Sequence, residues 1–193
     1  MGSKGGGAGS RVPDPVTLGE RVGLLLSEQS LTLALAESCT GGLASSLVTD
    51  VPGSSSYFLG SAVTYAYSAK HAILGVKPET LSIHGAVSAE TAAEMARGAR
   101  RLFGSDLAVS VTGIAGHGGG TPNKPVGLVY IHLSGPDPCK GAGAGAEIGE
   151  RHVWKSDRAG NKLLSAEAVL RLIIRYLEGG ATARAAGEPD PGS

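Results

Sequence analysis

The feature that most constrains the fold is an alternation of short apolar runs with segments that repeat apolar residues at helical spacing. Residues 31–36 form an apolar run of strand length, and an amphipathic segment precedes them. That first helix carries its apolar residues on one face: Leu18, Val22, Leu25 and Leu26. Thr17 and Glu20 have capping-box spacing at its start. Strands that alternate with helices are typical of layered α/β folds, because the helices cover the faces of the sheet.

The same alternation continues to residue 177. It predicts further strands at residues 58–65, 107–111, 126–133 and 151–155. It predicts further helices from Leu43, over residues 68–74, from an N-cap at Ser88 to Phe103, and over residues 163–177. The last two strands could pair as a hairpin. We therefore predict a single layered α/β/α domain with a mixed sheet over residues 16–178, between a flexible leader at 1–15 and a flexible tail at 179–193, with a surface loop at 135–145.

Composition excludes several functional classes. Lys and Arg total 17 and Asp and Glu total 17, so no excess of positive charge favours nucleic acid or an anionic membrane as a partner. No apolar run approaches the roughly 18 residues that span a bilayer. Two cysteines fit a reducing compartment, and the Gly-rich N-terminus lacks the apolar core of a secretory signal, so we expect a cytoplasmic protein. Five scattered His residues predict neither a metal nor another cofactor.

The turn after the first strand is the first candidate for chemistry. Ser38 follows the apolar run, and Thr40, Gly41 and Gly42 open the next helix. Backbone N–H groups at a helix start are unpaired and carry the positive end of the helix dipole, so such a turn can hold an oxyanion or a phosphate. The alternative is that Ser38 and Thr40 only cap the helix. Cys39 is either a nucleophile with a depressed pKa or a small buried residue.

A serine nucleophile needs a base, and Lys70 is the candidate. Its neighbours Ala69, Ala72 and Ile73 make the local sequence apolar, and desolvation lowers a lysine pKa toward neutrality. The alternative is a solvated charge on a helix face. Tyr65 lies on the preceding strand, where it is either part of the site or an aromatic residue that packs on the sheet.

A set of ordered motifs resembles the CinA C-terminal domain family. They are Glu37-Ser38-Cys39-Thr40-Gly41-Gly42, Pro52-Gly53-Ser54-Ser55, Thr64-Tyr65 with Lys70, Gly85-Ala86-Val87-Ser88, Thr112-Gly113-Ile114-Ala115-Gly116 and Lys124-Pro125-Val126-Gly127. The resemblance covers roughly residues 18–177. Stand-alone members of this family are nicotinamide-nucleotide amidases, which hydrolyse nicotinamide mononucleotide to nicotinic acid mononucleotide and ammonia in pyridine nucleotide recycling.

The resemblance implies roles for individual residues. Ser38 matches the family's nucleophile, and the segment with Tyr65 and Lys70 matches its assisting tyrosine and general base. The N–H groups of Thr40, Gly41 and Gly42 are then the candidates for holding the oxyanion. The loop at Thr112 and Gly113, together with Arg158 and Lys162, is the candidate for the substrate phosphate. The resemblance also implies a homo-oligomer, a dimer or larger.

Four positions depart from the family pattern. Ala66-Tyr67 stands where members commonly have Ser-Asn, His117 where they have Pro, and Lys162 where an Arg is expected. A lysine cannot form the bidentate contact of an arginine with a phosphate. These departures keep two alternatives open: a non-catalytic nucleotide-binding or regulatory module of the same fold, and an amidase for another small carboxamide.

Overall fold

The computed structural model describes residues 16–116, 118–136 and 145–187, with residues 180–187 described by their backbone alone. The predicted leader, residues 137–144 of the predicted surface loop, His117, Cys139 and the last six residues of the predicted tail lie outside the described residues. In the described part of the chain, no helix is both long and apolar enough to cross a membrane.

Five strands form one mixed sheet. They are β1 (Leu33–Glu37), β2 (Phe58–Val63), β3 (Leu107–Gly113), β4 (Leu128–Pro136) and β5 (Gly145–Val153), in the spatial order β2-β1-β3-β4-β5. β1 pairs in parallel with β2 and β3, whereas β4 is antiparallel to β3 and β5. The carboxyl ends of β1, β2 and β3 therefore lie at the same edge of the sheet, where α/β folds usually place their ligands.

Helices cover both faces of this sheet. They are α1 (Leu18–Glu28), α2 (Leu43–Thr49), α3 (Tyr67–Leu74), α4 (Pro78–His84), α5 (Ala89–Phe103) and α6 (Arg158–Gly187), with a short 3-10 turn at Ser54–Ser56. Leu33 and Leu35 of β1 belong to the core with α1, α2 and α6. Ala34 and Ala36, which alternate with them, belong to the core with α3, α4 and α5. The predicted three-layer α/β/α class with a mixed sheet is confirmed.

Three elements differ most from the prediction. β5 begins at Gly145, because its backbone pairs with β4 along its whole length although its Gly and Ala residues are typical of a loop. α4 was missed, and it begins with Pro78 in its first turn. α6 continues to Gly187, so the first part of the predicted flexible tail is helical, in keeping with the high helix propensity of its several Ala residues.

Candidate active site

Ser38 lies at the carboxyl end of β1, in a turn that bends sharply into α2. Its backbone N–H donates to the carbonyl of Val111 at 3.0 Å, which extends the β1–β3 pairing by one residue. Gly41 and Gly42 have φ values of +66° and +99°, in the left-handed region that side chains disfavour. These two glycines let the chain reverse within a few residues and keep Ser38 at the edge of the sheet.

Lys70 lies on α3, the helix that follows β2, and its side chain reaches Ser38. Its side chain is fully buried, and its Nζ lies 2.9 Å from Ser38 Oγ and 2.6 Å from the carbonyl oxygen of Thr64. Both partners are neutral oxygens, so neither compensates a buried positive charge as a carboxylate would. Burial lowers the pKa of Lys70 from 10.5 to about 8. A neutral Lys70 donates an N–H to Thr64 and accepts the hydroxyl proton of Ser38, which is the arrangement of a general base beside a nucleophile.

Glu37 is a site residue that the sequence reasoning missed. Its carboxylate is fully buried and accepts from the Thr40 hydroxyl at 2.7 Å and from the N–H groups of Gly42, Ala44 and Ser45 at 2.9, 3.2 and 2.8 Å. The Ser45 hydroxyl also donates to it. Glu37 thus caps α2 and holds the turn that carries the neighbouring serine. An acidic residue just before a helix start is the signal that could have identified it.

This cap changes which N–H groups of the turn are available to a ligand. The N–H of Gly42 donates to Glu37, and the N–H of Gly41 donates to the Ser38 carbonyl at 3.1 Å. Two of the three predicted oxyanion donors are therefore already paired within the chain. Among the described residues, the N–H groups of Cys39 and Thr40 have no oxygen acceptor, and of these two residues only Cys39 borders the pocket described below.

The structure favours the buried-residue interpretation of Cys39. Only 5% of this residue is exposed. Burial raises the pKa of its thiol to about 12, against smaller lowering effects from its own N–H, from the charge of Lys70 and from the N–H of Thr40. The thiol is therefore protonated at neutral pH, whereas a nucleophilic cysteine acts as the thiolate.

A pocket of about 320 Å³ opens in front of Ser38. Its walls include Ser38, Tyr65, Val87, Thr112, Gly113 and Arg158, so it brings together five of the predicted site residues from four separate segments of the chain. Thr40, Gly41 and Gly42 are not among its lining residues. In the part of the chain that the structure describes, no group of three His, Cys, Asp or Glu side chains is arranged to hold a metal ion.

Tyr65 and Arg158 form a bridge at the pocket. Tyr65 is 62% exposed, and its hydroxyl accepts from Arg158 Nη2 at 3.0 Å. Within the described residues, the Tyr65 hydroxyl forms no hydrogen bond with Ser38 or Lys70, so the geometry supports direct proton transfer between those two. A Cβ on Gly116 would lie 2.9 Å from Arg158 Cβ, so glycine at this position allows the arginine side chain to pass across the loop.

The other predicted phosphate contacts have internal roles in this structure. The Thr112 hydroxyl donates to the carbonyl of Ala86 at 2.7 Å. A Cβ on Gly113 would lie 2.6 Å from the carbonyl oxygen of Leu128, so the close approach of β3 to β4 is sufficient to require this glycine. Both residues still border the pocket. Their roles in binding stay predictions.

Lys162 lies on α6 one turn after Arg158, with its Nζ near the start of α2. A Cβ on Gly41 would lie 3.7 Å from this ammonium group. Two cationic side chains of α6 therefore lie close to the Ser38 turn, although only Arg158 borders the pocket.

The amino-acid sequence matches those of known proteins. The model of the CinA C-terminal domain family matches residues 16–177. A CinA-like protein of Chlorobaculum tepidum is 52% identical over 164 residues, which cover 84% of this chain and 38% of that protein. A putative competence-damage inducible protein of Halothermothrix orenii is 46% identical over 165 residues, with coverage of 86% and 38%. The chain thus spans 38% of the length of each of these relatives.

Solved structures of competence-damage proteins have a fold similar to that of this chain. The competence/damage inducible protein CihA of Agrobacterium tumefaciens superposes with a TM-score of 0.77 at 36% identity, covering 83% of this chain and 93% of that one. A competence-damaged protein (CinA) superfamily protein of Enterobacter cloacae gives a TM-score of 0.74 at 27% identity, with coverage of 90% and 99%.

Proposed function

The chain belongs to the CinA C-terminal domain family, and we propose that it is an amidohydrolase that converts nicotinamide mononucleotide to nicotinic acid mononucleotide and ammonia. The observation that carries the proposal is the buried contact of 2.9 Å between Lys70 Nζ and Ser38 Oγ at the carboxyl edge of the sheet. The choice of a nucleotide amide as substrate rests on the resemblance of the motifs around these two residues to those of nicotinamide-nucleotide amidases.

The first half of the reaction makes an acyl-enzyme. Lys70 accepts the hydroxyl proton of Ser38 while Ser38 Oγ forms a bond to the carboxamide carbon, and the carbonyl π electrons move to the oxygen. In this proposal the oxyanion accepts from the N–H group of Cys39, a residue that borders the pocket and whose N–H has no oxygen acceptor among the described residues. The oxyanion then reforms the carbonyl, the C–N bond breaks, and the Lys70 ammonium returns the proton to the nitrogen, which leaves as ammonia.

The second half restores the enzyme. A water molecule attacks the ester carbon as Lys70 accepts one of its protons. The bond between the carbonyl carbon and Ser38 Oγ then breaks, and Ser38 regains its proton from Lys70. The sum is amide plus water to carboxylic acid plus ammonia, with Ser38 and Lys70 unchanged. A base with a pKa of about 8 is suited to both directions of transfer near neutral pH.

The size of the pocket and the charge in its wall suit a small anionic substrate. Its volume of about 320 Å³ lies in the range of small-molecule sites. Arg158 supplies a cationic side chain in its wall, and a guanidinium can contact a phosphate through two N–H groups at once. In this proposal the carboxamide meets Ser38 and the phosphate meets Arg158, whose hydroxyl partner Tyr65 stays at the pocket edge.

Ammonia release from nicotinamide mononucleotide by wild type, Ser38→Ala and the matched control Ser46→Ala tests the proposal. Ser46 is an exposed serine of α2. We expect turnover by wild type and Ser46→Ala, none by Ser38→Ala, and equal thermal unfolding for all three. Unchanged turnover by Ser38→Ala removes it as the nucleophile. Binding without ammonia release by wild type indicates a non-catalytic module, and ammonia from another carboxamide in a substrate panel reassigns the substrate.

A further inference from the structure

The segment between α4 and α5 forms one wall of the pocket. Ala86 and Val87 border the pocket that Ser38 faces, and we call residues 84–87 the wall segment. Its residues 85–87, between the end of α4 at His84 and the N-cap Ser88, have no regular secondary structure. Its position therefore depends on side chains that reach its backbone from elsewhere.

Four side chains outside the pocket contact this backbone. Ser88 and Thr91, at the start of α5, donate to the carbonyl of Gly85, and Tyr67 and Lys124 reach the segment from elsewhere in the chain. The Tyr67 hydroxyl accepts the N–H of Ala86 at 3.1 Å. Lys124 Nζ donates to the carbonyl oxygens of His84 at 2.6 Å and Val87 at 2.8 Å. Neither Tyr67 nor Lys124 lines the pocket or contacts Ser38 in the structure.

The two groups converge over a glycine of the wall segment. Gly85 has a φ of +74°, and a Cβ there would lie 3.2 Å from Lys124 Nζ and 3.6 Å from the Tyr67 hydroxyl oxygen. A side chain at this position would meet both groups and would be strained by its backbone conformation. Because Gly85 has no side chain, Tyr67 and Lys124 can contact the backbone of the wall segment directly.

Tyr67 and Lys124 each lie on a segment that also contributes another part of the site. Tyr67 begins α3, the helix that carries Lys70. Lys124 closes a turn by pairing with Thr121, and the loop before that turn supplies Gly118 and Gly119 to the pocket walls. The contacts therefore connect the wall segment with both the base-bearing helix and the glycine loop.

We propose that Tyr67 and Lys124 are positioning residues that set the Ala86–Val87 wall and thereby the affinity of the pocket for its nucleotide. The inference rests on the proposed function for the identity of that ligand. Removal of either contact loosens the wall, which weakens binding, while the Ser38–Lys70 contact and hence the chemical step stay intact.

The test compares Tyr67→Phe and Lys124→Met with the matched controls Tyr130→Phe, on β4, and Lys77→Met, an exposed residue before α4. Each test variant loses hydrogen bonds and keeps most of its volume. We expect KM for nicotinamide mononucleotide to rise about 3-fold to 10-fold, the range for loss of one or two such bonds, with kcat changed less than about 2-fold. Amide hydrogen exchange at Ala86 is expected to accelerate in Tyr67→Phe and in neither control.

Two results would overturn the proposal. One is a Tyr67→Phe variant whose Ala86 exchange and KM both equal those of wild type. The other is a fall in kcat alone, which would place the residues in the chemical step. If wild type releases no ammonia, calorimetric dissociation constants for nicotinamide mononucleotide replace KM, so failure of the proposed function is seen separately. Absence of binding to wild type would overturn both.

Discussion

The buried lysine makes a prediction that does not depend on the substrate. Lys70 has a folded-state pKa of about 8 against 10.5 for a solvated lysine, because burial disfavours its charged form. The difference between these two pKa values corresponds to about 3 kcal/mol for keeping the side chain charged in the folded protein. Lys70→Met removes the titrating group and keeps an unbranched side chain, so it should relieve this penalty.

The sign of the pH dependence follows from the order of the two pKa values. Between about pH 8 and 10.5 the unfolded chain keeps the proton that the folded chain has lost, so the wild-type free energy of unfolding rises with pH through this window. Below about pH 8 the penalty is fully present, and the variant lacks it. The stability difference between Lys70→Met and wild type should therefore shift by about 2 kcal/mol in favour of wild type between about pH 7 and 9.5.

Urea unfolding at several pH values across this range measures the difference. Burial raises the pKa of the Cys39 thiol to about 12, which gives an opposite slope above pH 9, but both chains contain this group and its contribution largely cancels in the difference. Lys77→Met, at an exposed lysine, is the control and should show no comparable shift. If the Lys70→Met difference stays constant across the range, Lys70 has its ordinary pKa and the argument for a neutral base fails.

Two further predictions concern the turn around Ser38. Glu37→Gln should lower the free energy of unfolding by about 1–3 kcal/mol and slow ammonia release, because one carboxylate oxygen becomes an NH₂ group that faces the hydrogen-bond donors of α2. Unchanged urea stability would show that the cap is unimportant. Cys39 should react with iodoacetamide at pH 8 much more slowly in the folded protein than in urea, because its thiol is buried with a raised pKa. Peptide mass spectrometry resolves this cysteine from Cys139, and rapid labelling of folded Cys39 would contradict its assignment as a buried structural residue.

The layered architecture was predictable because it depends on local periodicity. In β1, Leu33 and Leu35 alternate with Ala34 and Ala36, and the two sets face helices on opposite sides of the sheet. A strand with two apolar faces must be covered twice, so the sequence alone indicates a central strand. The start of β5 was not predictable in this way, because pairing with β4 and not apolar periodicity determines it.

In the site, too, some residues could be predicted from local sequence and others could not. Ser38 and Lys70 were identified as candidates from their motifs, but the apolar neighbours of Lys70 left a buried base and a solvated charge both open. Glu37 was missed because a charged residue at the end of a strand is ordinarily exposed, whereas here the N–H groups of a helix start surround it.

The sequence by itself determined the alternation of strands and helices apart from α4, the glycine turn after β1 and the residue types available for serine chemistry. Only the tertiary structure decided that Lys70 meets Ser38. Parallel pairing of β1 with β2 places Thr64 against Glu37, and the chain then returns through α3 so that the lysine points back to the turn. Local sequence cannot specify that distance, because the two side chains are 32 positions apart and their contact depends on strand register and helix packing.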